Sequence, residues 1–179
     1  MRGGLLATKE LVADLSKGIW ALPPFPVVLV TVGQNIMAAG AFHFYSFKPP
    51  SVMVGIIPAK YTYELINREN EFGVNIPTAE QIELVRTCGS VSGRDVADKY
   101  SRAGVTPFQG TRIRGWLIKE CPVNIECIVV HKVDFKGTHQ WFVGEIQAVH
   151  IDTTYTRDQP LMFWSGEYRR VGELLEKAW

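Results

Sequence analysis

Two short stretches of this sequence carry residue types that can bind an anion. Lys60-Tyr61-Thr62 stands at the start of a predicted helix, and Ser92-Gly93-Arg94 stands at the start of another, with Lys99 further along. The first N–H groups of a helix have no partner within it, and with the helix dipole they favour a phosphate. Ser and Thr also cap helices where no ligand binds, so each stretch alone allows either interpretation.

A third feature is a run of small residues on a predicted strand. Ala38-Ala39-Gly40-Ala41 lies within Asn35 to Phe42, where a buried strand ordinarily has β-branched or aromatic side chains. Such a run permits close approach of a ligand, or tight packing against a helix, or a bulge. On the residues alone these alternatives stay open. If a ligand approaches closely, its flat ring could lie on residues 38–41 while its phosphate reaches a helix N-terminus.

Other kinds of chemistry have no signal in the sequence. The G-x-G-x-x-G, P-loop, H-E-x-x-H and G-x-S-x-G motifs are missing. The four histidines lack metal-ligand spacing, and the cysteines form no C-x-x-C, so no metal site is predicted. Cys121 and Cys127 fall on one predicted strand and share a face. Because their Cα atoms would be roughly 20 Å apart, they are predicted to be packing residues and not a redox pair. We therefore name no catalytic acid or base.

Composition limits the class of protein. The chain has 179 residues, of which 46% are hydrophobic and 21% charged, with a formal net charge of +1. This length suits one domain, and the balanced charge predicts neither nucleic acid nor an anionic membrane as partner. No apolar run approaches the roughly 20 residues of a membrane helix. The N-terminus lacks the apolar core of a signal peptide, and three scattered cysteines favour a reducing cytoplasm.

Hydrophobic periodicity predicts a mainly β domain of the α+β class with short flanking helices. Residues Leu5–Trp20 are predicted to be helical and to end at the prolines of residues 23–26, within an N-terminal extension of residues 1–25. Later helices are predicted for Thr62–Asn70 with Thr62 as N-cap, for a segment from the capping box at Thr78 through Arg86, and from Ser92 to Gly104. Residues 107–115 are predicted as loop. The predicted strands are Val27–Val32, Ile36–Phe47, Val52–Ile57, Glu71–Ile76, Pro122–Phe135 and Gln140–Ile151.

The order of these motifs resembles the flavin reductase-like family, FMN-binding split barrels that include flavoredoxins and archaeal ferric reductases. The resemblance covers Pro26–Tyr168, nearly the whole chain. Members commonly have Ser or Ala near Gly40, so this glycine departs from the pattern and offers no hydroxyl. The segments that carry the resemblance are Pro26 to Thr31, Asn35 to Ala39, Lys48-Pro49-Pro50, Tyr61 to Ile66, Phe72 to Asn75, Ser92 to Asp95, Asp98-Lys99, Pro160-Leu161 and Gly166 to Tyr168.

The resemblance implies a single domain built on a six-stranded antiparallel split β-barrel over residues 26–168. It also implies a homodimer with FMN near the subunit interface. Asn35, Met37, Ala38, Ala39 and Gly40 would line the flavin ring. Further cofactor-binding residues that the resemblance implies are Val54, Gly55 and Ile56 along the ring, Lys60, Tyr61 and Thr62 at the phosphate, and Ser92, Gly93, Arg94 and Lys99 closing the site.

The function so implied is an FMN-dependent oxidoreductase. It would pass reducing equivalents from NADH or NADPH to free flavin, ferric iron or a redox partner. One alternative is a flavoredoxin-type electron carrier that does not oxidise nicotinamide, and another is a ligand-binding barrel without redox chemistry. The cofactor carries the electron chemistry in the first two cases, so no catalytic acid or base is required.

Overall fold

A curled antiparallel sheet forms the body of the protein in the computed structural model, which describes residues 8–134 and 136–177. Twelve strands and four α-helices are assigned within these residues. In chain order they are α1 (Leu15–Gly18), β1 (Phe25–Pro26), β2 (Val28–Val32), β3 (Asn35–Ala39), β4 (Phe42–Phe47), β5 (Pro50–Ile56), α2 (Tyr61–Glu69), β6 (Glu71–Ile76), α3 (Ile82–Ser90), α4 (Lys99–Ala103), β7 (Pro107–Gln109), β8 (Trp116–Ile118), β9 (Val123–Val133), β10 (Gln140–Ile151), β11 (Leu161–Trp164) and β12 (Glu167–Arg170).

Seven of these strands form the main sheet, in the order β3-β2-β6-β9-β10-β5-β4. Its two edge strands, β3 and β4, are consecutive in the chain and meet at Gly40 and Ala41. The carbonyl of Ala41 accepts a hydrogen bond of 2.7 Å from the Gly55 amide, which ties this corner to β5. Small residues suit a sharp bend at a barrel corner. The split-barrel prediction is confirmed. Six strands were predicted and the main sheet has seven, because the predicted strand Ile36–Phe47 is bent here into β3 and β4.

Apolar side chains fill both faces of the strand β2. Val28 and Val30 enter a cluster inside the barrel with Phe72 and Phe142, all of them fully buried. Leu29, the residue between them, belongs to a second cluster beneath α3 and α4. Full burial of such a side chain stabilises the fold by about 1.5–3 kcal/mol. Burial on both faces explains why Val27–Val32 is continuously apolar and does not alternate.

The helix α2 lies one residue earlier in the chain than the predicted Thr62–Asn70. Its N-cap is Lys60, which makes no side-chain capping bond, and its C-cap is Asn70 in the left-handed conformation. Thr62 is not the N-cap, because it lies inside the first turn and is buried. By contrast, the capping box at Thr78 is confirmed, with the Thr78 amide donating to Gln81 Oε1 at 2.8 Å.

The predicted helix Leu5–Trp20 is largely wrong. Residues 8–14 are not helical, α1 is a single turn, and a 3-10 turn follows at Ile19–Ala21; the predicted positions 5–7 lie outside the described residues. Leu11 and Leu15 are 96% and 80% exposed. Helical spacing alone does not stabilise a short helix whose apolar face is not buried.

Three further predictions need correction. Ser92–Asp95 is a turn, so α4 begins only at Lys99, although it ends at Gly104 (φ +67°) as predicted. The predicted loop 107–115 contains β7, which pairs with β8. Cys121 precedes β9 and joins the second cluster, whereas Cys127 joins the barrel cluster, so the two do not share a face. Among the described helices, none combines the length and apolarity required to span a membrane.

Candidate functional site

A cavity of about 310 Å³ lies where β3, the start of α2, the end of α3 and the turn 92–95 meet. Its volume is at the lower end of the range for ligand sites. Nine of the fifteen predicted site residues line it: Asn35, Met37, Lys60, Tyr61, Thr62, Ser92, Gly93, Arg94 and Lys99. The structure thus brings both predicted anion-binding stretches to one cavity.

The N-terminus of α2 forms one side of the cavity. Its N-cap, Lys60, supplies no side-chain acceptor for the first N–H groups. The Tyr63 amide donates to Lys60 O at 3.0 Å, which leaves the amides of Tyr61 and Thr62 at the open end. Free N–H groups and the positive end of the helix dipole attract negative charge here. The arrangement suits a phosphate.

A buried hydrogen bond joins β3 to α2 at the back of this end of the cavity. Asn35 Nδ2 donates to Thr62 Oγ1 at 2.7 Å, and both residues are buried. A hydroxyl that accepts one bond keeps its own proton available as a donor. Thr62 is therefore fixed in place and still able to donate to an anion.

Gly93 allows the turn 92–95 to close on these two elements. A Cβ built there would overlap Asn35 Oδ1 and would lie 2.8 Å from Tyr61 Cδ1. Contacts this close essentially never occur for a real Cβ. Gly93 is thus required by the close approach of the turn to β3 and α2.

Two cations stand at the cavity. Arg94 donates to the Ala59 carbonyl at 3.2 Å and to Glu64 Oε1, and its guanidinium carbon lies 5.4 Å from the centre of the Tyr61 ring. Lys60 is exposed and forms no ion pair with the described carboxylates. The charge of Lys60 is uncompensated, so the local field favours an anionic ligand.

Lys99 shapes the cavity from behind. It is 3% exposed, and its Nζ donates to Cys88 O at 2.9 Å and to Val91 O at 2.7 Å, which holds the end of α3 to the start of α4. Burial lowers the pKa of Lys99. Burial also raises the pKa of the neighbouring Cys88 thiol to about 11, so Cys88 stays protonated near neutral pH.

Six predicted ring-site residues lie outside this cavity. Val54 and Ile56 point into the barrel core and are at most 1% exposed. A Cβ at Gly55 would lie 3.1 Å from Ala41 Cβ and from the ring of Trp141. The remaining three are Ala38, Ala39 and Gly40. A contact of these six with a flavin stays a prediction.

The small residues of β3 have a structural role in part. Ala38 lies against α3, where a Cβ at Gly89 would be 3.4 Å from Ala38 Cβ. Ala39 is 8% exposed and belongs to the barrel cluster. Gly40 stands at the corner between β3 and β4, and an added Cβ there would meet no atom within 4 Å. Helix packing and the barrel bend thus explain much of the run.

Sequence reasoning missed the wall contributed by α3. The helix was predicted to end at Arg86, whereas α3 continues to Ser90 through Gly89, a residue type that more often marks the end of a helix. The missed lining residues are Ala59, Cys88, Gly89, Ser90, Val91 and Asp95. Within residues 8–134 and 136–177, no cluster of His, Cys, Asp and Glu could hold a metal ion.

Fold and cavity together define a class of protein, a split β-barrel domain with a cavity at a helix N-terminus whose residues suit an anion. Comparison with known proteins narrows the class. The flavin reductase like domain family matches residues 21–172, and the chain belongs to this family.

Relatives and solved structures agree with this membership. An uncharacterized protein of Archaeoglobus fulgidus is 33% identical over 138 residues, which is 77% of each chain. A flavoredoxin from Methanosarcina acetivorans has a similar structure, with a TM-score of 0.83, 30% identity and coverage of 96% of both chains. The NADH-dependent FMN reductase AsuE2 of Streptomyces nodosus subsp. asukaensis is 27% identical over 154 residues, covering 82% of this chain and 78% of its own.

Proposed function

We propose that this protein is an FMN-binding oxidoreductase that passes reducing equivalents from NADH or NADPH to free flavin, ferric iron or a redox partner. The observation that carries the proposal is the cavity at the N-terminus of α2, where free helix N–H groups and two cations converge in a member of the flavin reductase-like family. The similar AsuE2 is named as an NADH-dependent FMN reductase, which supports a nicotinamide donor.

The residues of the cavity fit the phosphate of FMN. Lys60 and Arg94 would supply positive charge, the amides of Tyr61 and Thr62 would donate hydrogen bonds, and the Ser92 hydroxyl would complete the cradle. When bound, FMN supplies the hydride and electron chemistry, and the protein supplies position and electrostatics. The chain therefore functions without a catalytic acid or base of its own.

A second candidate is a flavoredoxin-type electron carrier that does not oxidise nicotinamide. It is favoured by the 30% identity to the flavoredoxin of Methanosarcina acetivorans. Mixing the FMN-loaded protein with NADH or NADPH without oxygen separates the two candidates. We expect the flavin absorption to bleach with at least one donor. An unchanged spectrum, in a protein whose flavin is still reduced by dithionite, would favour the carrier.

The remaining alternative is a ligand-binding barrel without a redox cofactor. Absorption in the flavin region distinguishes it, because a protein that stays colourless after incubation with FMN and removal of free ligand is not a flavoprotein.

We also propose a homodimer located in the cytoplasm. The dimer is supported by exposed aromatic side chains on the edge strand β4, namely Phe44, Tyr45 and Phe47.

A further inference from the structure

Glu64 is an acidic residue in the first turn of α2, next to a site suited to an anion. A carboxylate at this end of a helix is favourable for the helix itself. Next to a phosphate, however, its charge would be repulsive. Its position therefore calls for an explanation beyond helix stability.

The side chain of Glu64 is paired with Arg94, which lies 30 residues later in the turn 92–95. Arg94 has two further partners, the Ala59 carbonyl and the face of the Tyr61 ring. Together the three partners fix the guanidinium in position and orientation. An arginine has five N–H donors in a planar fork, and the bonds to Glu64 and Ala59 occupy two of them.

Two roles for Glu64 are physically distinct. As a competing charge, it would hold Arg94 away from the ligand and repel the phosphate. As a positioning residue, it would hold Arg94 where the remaining donors can meet the phosphate. The cavity wall favours the second role, because among its described lining residues Arg94 is present and Glu64 is not. Glu64 thus pairs with Arg94 without itself lining the cavity.

We propose that Glu64 is a positioning residue that orients Arg94 toward the phosphate of bound FMN. The inference rests on the proposed function, since it assumes that FMN is the ligand. It adds a residue that does not line the cavity and acts only through Arg94. The phosphate specificity of the site thus depends on an ion pair between α2 and the turn 92–95.

The test compares FMN with riboflavin, which lacks the phosphate, in titrations of flavin-free protein. For Glu64→Ala we expect roughly two- to fivefold weaker binding of FMN, the range of an exposed ion pair, and unchanged binding of riboflavin. Glu64→Gln keeps an oxygen that accepts from Arg94, so it should retain more affinity for FMN than Glu64→Ala. High salt should reduce the difference between wild type and Glu64→Ala, because it screens exposed charges.

Glu83→Ala is the matched control, since Glu83 forms an exposed ion pair with Arg86 on α3 and does not line the cavity. It should leave both affinities unchanged. Tighter FMN binding by Glu64→Ala and Glu64→Gln would show a competing charge and overturn the proposal. Equal losses for both flavins would show a merely structural role, and no loss for FMN would also overturn it. Failure of the wild type to bind FMN would instead refute the proposed function itself.

Discussion

Gly93 determines how closely the turn 92–95 approaches β3 and α2. Its missing side chain makes room for Asn35, and Asn35 in turn holds the Thr62 hydroxyl at 2.7 Å. A single methyl group at position 93 would therefore disturb the amide on which the position of Thr62 depends. Positions packed this closely tolerate added atoms poorly.

We predict that Gly93→Ala weakens FMN binding. Overpacking costs about 1–3 kcal/mol. If about 1.4 kcal/mol of this cost weakens FMN binding, the affinity falls roughly tenfold. Fluorescence titration with FMN measures the affinity, and thermal unfolding identifies the temperature range in which the variant is folded. Gly172→Ala is the control, because an added Cβ there meets no atom within 4 Å. Wild-type affinity in Gly93→Ala would contradict the assigned contact.

Single residues also show where sequence reasoning reached its limit. The sequence predicted correctly that Thr62 lies at the start of a helix, but it placed the N-cap two residues too late. The capping preference of Thr could not reveal that Asn35, 27 positions earlier, uses the Thr62 hydroxyl as acceptor. Lys99 was placed near an anion by its position after Ser92-Gly93-Arg94 and at the FMN site by the resemblance. Its bonds to two backbone carbonyls, however, depend on the packing of α4 against α3.

At the scale of the element, Glu126 of β9 holds the loop between β7 and β8. This carboxylate is fully buried and accepts hydrogen bonds from the Thr111 amide and hydroxyl, the amides of Arg112 and Ile113, and His150 Nε2, at 2.6–2.9 Å. Burial by itself raises the pKa of Glu126. The hydrogen bonds, with that from His150 the largest, outweigh burial and lower the pKa to about 2.

We predict that Glu126→Gln destabilises the fold near neutral pH, because the amide replaces one of the two accepting oxygens. Each buried donor left without an acceptor costs about 1–3 kcal/mol. A carboxylate whose pKa is lowered on folding stabilises the protein above its ordinary pKa of 4.5. This contribution is lost as pH falls through the folded value near 2. Urea unfolding at pH 7, 4 and 2.5 should therefore show that the unfolding free energies of wild type and Glu126→Gln converge as pH falls.

Glu83→Gln provides the control for this series, since Glu83 is an exposed carboxylate paired with Arg86. Its unfolding free energy should stay within about 0.5 kcal/mol of wild type at each pH. If the difference in unfolding free energy between wild type and Glu126→Gln did not change with pH, the carboxylate charge would not be what stabilises the loop.

The elements differ in how well their sequence predicts them. The barrel strands were predicted from apolar runs and alternation, because burial in the sheet imposes those patterns directly. The strand 36–47 was predicted unbroken, since the bend at Gly40 and Ala41 depends on how β3 and β4 pair with β2 and β5. The helix Leu5–Trp20 was wrong for the opposite reason, because the apolar side chains that the structure describes in this segment stay exposed and pack against no core.

At the scale of the whole molecule, the surface that the structure indicates for a dimer differs from the one that the sequence indicates. From the sequence alone, Phe163, Trp164 and Tyr168 near its end predict a dimer interface, because contiguous apolar surface favours association. Phe163 and Tyr168, however, pack against the second apolar cluster with ring centres 5.7 Å apart, and Trp164 donates to Leu22 O at 2.7 Å. A more exposed group of aromatic side chains lies on β4, where Phe44, Tyr45 and Phe47 are 45%, 52% and 83% exposed and the rings of Phe44 and Phe47 are 4.4 Å apart.

We predict that β4 contributes to a homodimer interface. Its outer edge has no strand partner among the described residues, and Phe47 is 83% exposed. Unpaired edges and contiguous apolar surface favour association. Light scattering should give about twice the 20.1 kDa of one chain. Phe47→Asp should weaken the dimer roughly 10- to 100-fold, since burying such a side chain contributes about 1.5–3 kcal/mol. Leu175→Asp, at a position that is 92% exposed in the C-terminal segment, should leave it intact. A wild-type protein that is monomeric at micromolar concentration with FMN bound would contradict this interface.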